Sequence, residues 1–338
     1  MKMMMANDSD DNDDDVTTMT MTQPKRDAPV SVAVATKQHK PFALFGLRPC
    51  DLAAVDKLDR VLLERPPSPE STYRSRTEDA FLVVVNCGVP ASTCFCSSVD
   101  TGPHVDERTD RHDLEVTELP TSAANAEPEY VLESISTRGD RMLALVGEVA
   151  GSAEVTDVQT DRVASNRRGA VDMIERRLPA DRTAAAFAAA LTSDRWQDVA
   201  EQCLACGNCT AVCPTCFCTT VNDIGDLTGT SVDRHREWES CFSLEFSRVG
   251  SSPIRSSLAS RYRQWMTHKL SAWWEQFDSS GCVGCGRCIT WCPVGIDIRE
   301  HILYNIGSEM GIFVLNATAT TEIYTALNTL SLPDALPI

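Results

Sequence analysis

The spacing of apolar residues changes along the chain, and each spacing predicts an element. Phe42-Ala-Leu-Phe45 and Phe81-Leu-Val-Val-Val85 are short apolar runs that predict buried strands. Between them, Asp51 to Leu63 carries apolar residues at 52, 55, 58, 61 and 62, which predicts a helix with Asp51 as its N-cap. Leu114–Leu119, Tyr130–Ile135 and Met142–Val146 predict further strands, with helices near 169–178 and 183–191. Later, Ser260 to Trp274 places apolar residues at 262, 265, 266, 270, 273 and 274, the stripe of an amphipathic helix.

This pattern divides the chain. Residues 1–38 are polar, rich in Asp, Thr and Met and without apolar periodicity, so a disordered acidic tail is expected there. Residues 39–193 mix strands and helices and predict an α+β domain. Residues 194–307 read as loops and helices, and 308–338 have no helical pattern, cap or candidate ligand.

Composition narrows the function. The chain has 338 residues, enough for two domains with real cores. Its net charge of −17 argues against a nucleic-acid partner, which needs a basic footprint. The start of the chain has no apolar core of a signal peptide, and no stretch approaches the roughly 18 apolar residues of a membrane span. A cytoplasmic location is expected. Fifteen cysteines in such a chain point to metal ligation rather than disulfides.

Two cysteine runs carry the chemistry: Cys203-x2-Cys206-x2-Cys209-x3-Cys213-Pro214 and Cys282-x2-Cys285-x2-Cys288-x3-Cys292-Pro293. This is the run by which bacterial ferredoxins hold a [4Fe–4S] cubane. Cysteines three apart on a tight loop converge their sulfurs, and loop N–H groups point at the cluster. The fourth cysteine of such a run ligates the other cluster in two-cluster ferredoxins. Cys203, Cys206, Cys209 and Cys292 are therefore expected on cluster 1. Cys282, Cys285, Cys288 and Cys213 are expected on cluster 2. Gly207 and Gly286 fall at matching places, where a side chain would crowd the loop. Structural zinc is a poorer reading, because it has no use for the third x2 step. The runs begin 79 residues apart, with the amphipathic helix between them, so a helical dicluster domain is expected rather than a compact β-ferredoxin.

Seven cysteines lie outside these runs. Thr93-Cys-Phe-Cys-Ser-Ser-Val99 resembles Thr215-Cys-Phe-Cys-Thr-Thr-Val221, one element used twice. Cys50 follows the first strand and Cys87 the second, so Cys50, Cys87, Cys94 and Cys96 could converge on a third [4Fe–4S] cluster. The alternative is that these thiols pack as small hydrophobes. Cys216, Cys218 and Cys241 offer only three thiolates, for a metal with an outside ligand or for the wall of a cluster pocket. Trp265, Trp273, Trp274 and Trp291 are expected to shield the clusters. No glycine-rich phosphate loop is present, so bound nucleotide or flavin is not indicated.

The segments Phe45-Gly-Leu-Arg-Pro-Cys-Asp-Leu-Ala-Ala54, Asn86-Cys-Gly88, Thr93-Cys-Phe-Cys96, Cys203 to Cys218, Arg261-Tyr-Arg-Gln-Trp-Met-Thr-His-Lys269 and Gly281 to Asp297 go further. Together they resemble the beta subunit of cytoplasmic NiFe sulfhydrogenases and its iron–sulfur counterpart in anaerobic sulfite reductase, one dicluster family. The resemblance covers roughly residues 41–305. It implies an electron-transfer subunit between an NAD(P)H-oxidising flavoprotein and a catalytic unit. That unit is a NiFe hydrogenase or a sirohaem sulfite reductase. The remaining alternative is a catalytic iron–sulfur enzyme that reduces sulfur or disulfides with its spare cysteines. Both ends depart from the family, so the first domain is expected to be incomplete at its start and residues 308–338 to be unrelated sequence. The expected fold is an α+β N-terminal domain followed by an α-helical dicluster ferredoxin domain.

Overall fold

The computed structural model describes residues 19–22, 31–34 and 40–300, apart from short segments at 68, 107–108, 121–127, 152 and 179–189. The helix expected near 183–191 and the segment 308–338 therefore fall largely or wholly outside the described residues.

The first unit is built on four strands: β3 (Ala43–Leu47), β4 (Phe81–Val85), β5 (Leu114–Leu119) and β6 (Glu129–Ser134), in the order β3-β4-β5-β6. β3, β4 and β5 run parallel and β6 is antiparallel. β4 is apolar on both sides because both its faces are covered. Leu82 and Val84 pack with Leu52 and Ala80 on one face, and Val83 packs with Leu114 and Val116 on the other.

Helix α1 (Pro49–Asp59) follows β3 directly. Its N-cap is Arg48, not Asp51: Pro49 takes the first helical position and Asp51 reaches back to the Arg48 N–H at 3.0 Å. The short helix α2 (Ser71–Thr77), capped by the Glu70 carboxylate, then leads into β4. Further on, Met142–Val146 is not a strand but part of helix α3 (Thr137–Ala150). Ser136 caps it by accepting from the Gly139 N–H at 3.1 Å, and Gly151 ends it at φ 73°. The half-buried positions 143, 146 and 147 have the helical period that a five-residue window hid. Gly139 lets the helix lie on the sheet, for a Cβ there would sit 2.1 Å from the Asp113 carbonyl oxygen. Asp113 joins both layers: its buried carboxylate accepts from the Leu82 N–H, Ser136 and Arg138. Burial opposes its charge, and those hydrogen bonds outweigh burial and hold its pKa below the ordinary value.

Helix α4 (Asp157–Asp172) stops short of the expected 169–178. Residues 176–178 are drawn instead to the loop after β4: Arg177 donates to Ser97 Oγ at 2.7 Å and the Leu178 N–H to Ser98 Oγ at 3.0 Å. Pro179 also disfavours the helical conformation at Leu178.

The second region holds both cysteine runs. Its core packs Phe95, Trp196, Phe242, Tyr262, Trp265 and Met266 together. The amphipathic helix forms as α7 (Leu258–Thr267), a π turn (His268–Ala272) and α8 (Trp273–Phe277), preceded by α5 (Arg195–Gln202) and α6 (Asn208–Ala211). The region is not helical throughout. Strands β7 (Thr219–Gly225) and β8 (Ser231–Trp238) form an antiparallel hairpin closed by a turn around Asp226, which accepts from Thr230 and Ser231. β1 (Met19–Thr22) and β2 (Ser31–Val34) extend that hairpin into a sheet of order β2-β1-β8-β7. These two strands lie within the stretch expected to be disordered; their Thr-Met and Val-Ala alternation suits a strand that has an edge to join.

Candidate iron–sulfur centres

The two cysteine runs fold alike. Gly207 (φ 75°) and Gly286 (φ 70°) take the left-handed conformation, which costs a residue with a Cβ about 1–2 kcal/mol. Each starts a single helical turn, α6 in the first run and α9 (Arg287–Thr290) in the second. In each run the N–H two residues past the first cysteine donates to its sulfur: Ala205 to Cys203 at 3.4 Å and Gly284 to Cys282 at 3.3 Å. Ile296 donates to Cys292 Sγ at 3.3 Å. Such N–H···S bonds stabilise thiolate charge and tune a bound cluster.

Two cavities follow. Cys203, Cys206, Cys209 and Cys292 line one, with Phe242, Tyr262 and Trp265. Cys213, Cys282, Cys285 and Cys288 line the other, with Phe95, Trp265 and Lys269. Cys288, Trp265 and Ile298 lie on the walls of both. Among the described residues no three His, Cys, Asp or Glu side chains are gathered for one ion. Burial, reinforced by neighbouring cysteines, pushes Cys209 up to about 12. Burial does the same to Cys285, also to about 12. Thiols in such dry cages give up their protons to a cationic centre. Soft donors, apolar walls and N–H groups aimed at sulfur fit a [4Fe–4S] cluster in each cavity.

The surroundings of the two runs differ. Cys206 is exposed, and so is Leu204 beside it. The second run is clamped by the first unit. The Phe95 N–H donates to the Gly284 carbonyl at 2.8 Å, Thr101 Oγ1 donates to the Val283 carbonyl at 2.7 Å, and Arg287 pairs with Asp51 at 2.6 Å. A Cβ on Gly286 would lie 2.2 Å from the Thr93 carbonyl oxygen, so this glycine is needed for close approach as well as for its φ.

Two lysines that the sequence pattern did not single out stand beside the second cage. Lys269 is 4% exposed, and its Nζ donates to Thr215 Oγ1 at 2.8 Å. Burial alone would lower its pKa, but the charges of Cys213, Cys216 and Cys282 outweigh that and raise it. A buried ammonium requires compensating negative charge, which thiolates and a cluster supply. The signal is present in the sequence: position 269 falls on the apolar stripe of 262, 265, 266, 270 and 273, where a lysine is out of place. Lys57 is also buried, and burial lowers its pKa to about 8.

Of the shielding tryptophans, Trp265 lines both cavities and Trp273 packs on Gly281, whereas Trp291 is 60% exposed. The second Cys-Phe-Cys element lies between the cages and the hairpin. Cys216 shares a hydrogen bond with Cys213, which lowers Cys213 and raises Cys216. Cys218 shares one with Cys241, lowering Cys218 and raising Cys241. Phe217 packs edge-on against Trp273 at 5.9 Å. The first Cys-Phe-Cys element sits against the loop of the second run, with Cys94 Sγ 3.7 Å from the Cys285 carbonyl oxygen.

Paired cysteine cages on glycine-started turns, walled by aromatic rings, define an iron–sulfur protein of the electron-transport class. Residues 202–296 match the family model described as 4Fe-4S dicluster domain. The chain is 32% identical over 272 residues to sulfhydrogenase 2 subunit beta of Pyrococcus furiosus, covering 77% of this chain and 72% of that relative. It belongs to the sulfhydrogenase beta-subunit family. No solved structure matches it. Among the described residues no helix is long and apolar enough to cross a membrane.

Proposed function

We propose that this chain is the electron-relay subunit of a cytoplasmic oxidoreductase complex. It carries electrons between an NAD(P)H-oxidising flavoprotein and a catalytic NiFe hydrogenase subunit. The observation that carries this reading is the common wall of the two cages: Cys288, Trp265 and Ile298 border both. Clusters held there would be neighbours, as one-electron hopping requires. The family relative, named a sulfhydrogenase subunit, favours a hydrogenase partner over a sirohaem sulfite reductase.

In this reading Cys203, Cys206, Cys209 and Cys292 hold cluster 1, and Cys282, Cys285, Cys288 and Cys213 hold cluster 2. Each [4Fe–4S] cluster supplies a site that takes up and releases one electron. The protein's part is to bury the clusters, donate N–H groups to their sulfurs and set the local charge. The units are taken as 39–193 and 194–307, the second contributing both cages. Its helices and hairpin support that division, although Phe95 and Leu178 of the first unit join its core.

The test is purification of the chain with its natural partners under anaerobic conditions. A nickel protein and a flavoprotein should co-purify, and the complex should reduce an NAD(P)+ cofactor with hydrogen. A sirohaem protein in place of the nickel protein would assign the relay to sulfite reduction. Polysulfide reduction by the chain alone would make it a catalytic enzyme instead.

A further inference from the structure

The carboxyl ends of parallel strands are where an α/β sheet offers a crevice for ligands. In the first unit, β3 and β4 both point their ends toward the second cysteine run. Cys50 lies three residues past β3, in the first turn of α1, and Cys87 lies two residues past β4. Cys94 and Cys96 come from the loop that follows. Three chain segments thus bring four cysteines to one edge of one sheet.

Close contacts hold the segments of that edge together. A Cβ placed on Gly102 would lie 3.2 Å from Cys96 Sγ and 3.6 Å from Pro49 Cβ, so the Cys96 sulfur sits beside the residue preceding Cys50. The Cys87 N–H donates to the Pro103 carbonyl at 3.1 Å, which ties Cys87 to the same turn. Phe95 is wholly buried in the core of the cluster region and anchors the loop between Cys94 and Cys96. A Cβ on Gly284 would lie 2.7 Å from the Cys96 backbone, so this loop and the loop of the second run touch directly. The mutual influence of the thiols agrees: after burial, Cys94 and Cys87 are the largest influences on Cys96, and Cys50 feels both Cys96 and Cys285.

Charges of both signs surround the quartet, with Asp51 beside Cys50 and Cys87 and arginines opposite it. Arg48 lies within the field of Cys87 and also donates to the Val85 and Asn86 carbonyls, both at 3.4 Å. Arg287 and Arg176 face Cys94. Arg287 is also paired with Asp51 and Arg176 with Asp297, so the assignment rests on the four thiols that share this edge and not on the arginines. The Cys216, Cys218 and Cys241 set differs, since it offers only three thiols outside the two cages and faces the buried Lys269.

We propose that Cys50, Cys87, Cys94 and Cys96 hold a third [4Fe–4S] cluster, set against the loop of the Cys282 run. The proposal rests on the electron-relay reading and lengthens the relay into the first unit. Binding releases one proton from each thiol as its sulfur joins iron. Transfer then moves one electron between cluster 2 and the third cluster; the donor is oxidised, the acceptor is reduced, and no bond or proton is exchanged.

The experiment measures iron, sulfide and zinc in the anaerobically reconstituted full chain, with low-temperature EPR after dithionite reduction. Wild type should contain about twelve irons per chain, against about eight for two cubanes alone. Cys94→Ser/Cys96→Ser and, separately, Cys87→Ser should each lose about four irons and keep the signal of the two reduced clusters of the Cys203 and Cys282 runs. About eight irons in wild type, or an iron content unchanged by both variants, would overturn the proposal. So would zinc that both variants remove while iron stays constant. If a variant loses all its iron, the wild-type count decides between these outcomes. A wild type with no iron and no reduced-state signal would overturn the relay reading itself.

Discussion

The Cys203 run and the Cys282 run are the same object in two settings. Both start a helical turn from a left-handed glycine, and both aim an N–H at the sulfur of their first cysteine. Around the first run the chain opens, with Leu204 64% exposed and Cys206 exposed beside it. Around the second run it closes: Val283 is buried, the first unit is hydrogen-bonded to the loop, and Lys269 and Lys57 stand beside the cage. Local cluster geometry thus comes from the spacing of a dozen residues. The environment that sets a potential comes from residues far away in sequence.

The largest expected effect breaks one cage and spares the other. Cys206→Ala should remove cluster 1 and stop electron transfer through the complex, while the Cys282 cage and the first unit stay folded. Iron analysis and hydrogen-dependent NAD(P)+ reduction check this, and full iron with a full rate would refute the ligand assignment.

Matched glycines probe the settings themselves. Gly286→Ala adds left-handed strain to a backbone clash 2.2 Å from Thr93 and should cost about 3 kcal/mol, loosening the first unit from the loop. Gly207→Ala meets nothing nearer than 3.5 Å and should cost only about 1 kcal/mol. Thermal unfolding of the two variants side by side measures the difference, and equal losses would mean that the clamp contributes nothing.

Asp113→Ala acts inside the first unit, away from both cages. It leaves the Leu82 N–H and Ser136 without their acceptor and should cost about 2 kcal/mol without loss of iron. Because the folded pKa of Asp113 is depressed, its contribution is complete at neutral pH. That contribution is lost as pH falls below the ordinary carboxylate range and through the depressed folded value. Acid unfolding of wild type and variant should therefore converge at low pH.

The smallest effect sharpens the electrostatic contrast. Lys269→Met removes a buried ammonium beside Cys213 and Cys282 and should lower the potential of cluster 2 by tens of millivolts, moving cluster 1 less. An EPR-monitored redox titration reads both potentials, and equal shifts would contradict the placement of that charge.

Much of this was legible in the sequence, and the reason is locality. The strands at 43–47, 81–85, 114–119 and 129–134 announced themselves because each is a dense apolar or alternating run. The cysteine spacings pointed to cluster chemistry because ligand convergence is a short-range constraint. Helix α3 does not show in the apolar pattern, because its apolar residues bunch at 142–146 and the cap at Ser136 lies outside that window. The β7–β8 hairpin went unseen because its strands are polar, and only the Asp226–Thr230 turn could have signalled it. The Arg287–Asp51 pair spans the two units, and no local pattern encodes such a contact.

Electron relay through this chain requires redox-active cubanes in the two cages, close enough to exchange electrons. Low-temperature EPR of the anaerobically purified, dithionite-reduced chain tests it most directly. The reduced [4Fe–4S] clusters of both cages are expected to give broadened, interacting signals, and Cys206→Ala to lose that of the Cys203 cage. Stoichiometric zinc with no reduced-state signal would contradict it.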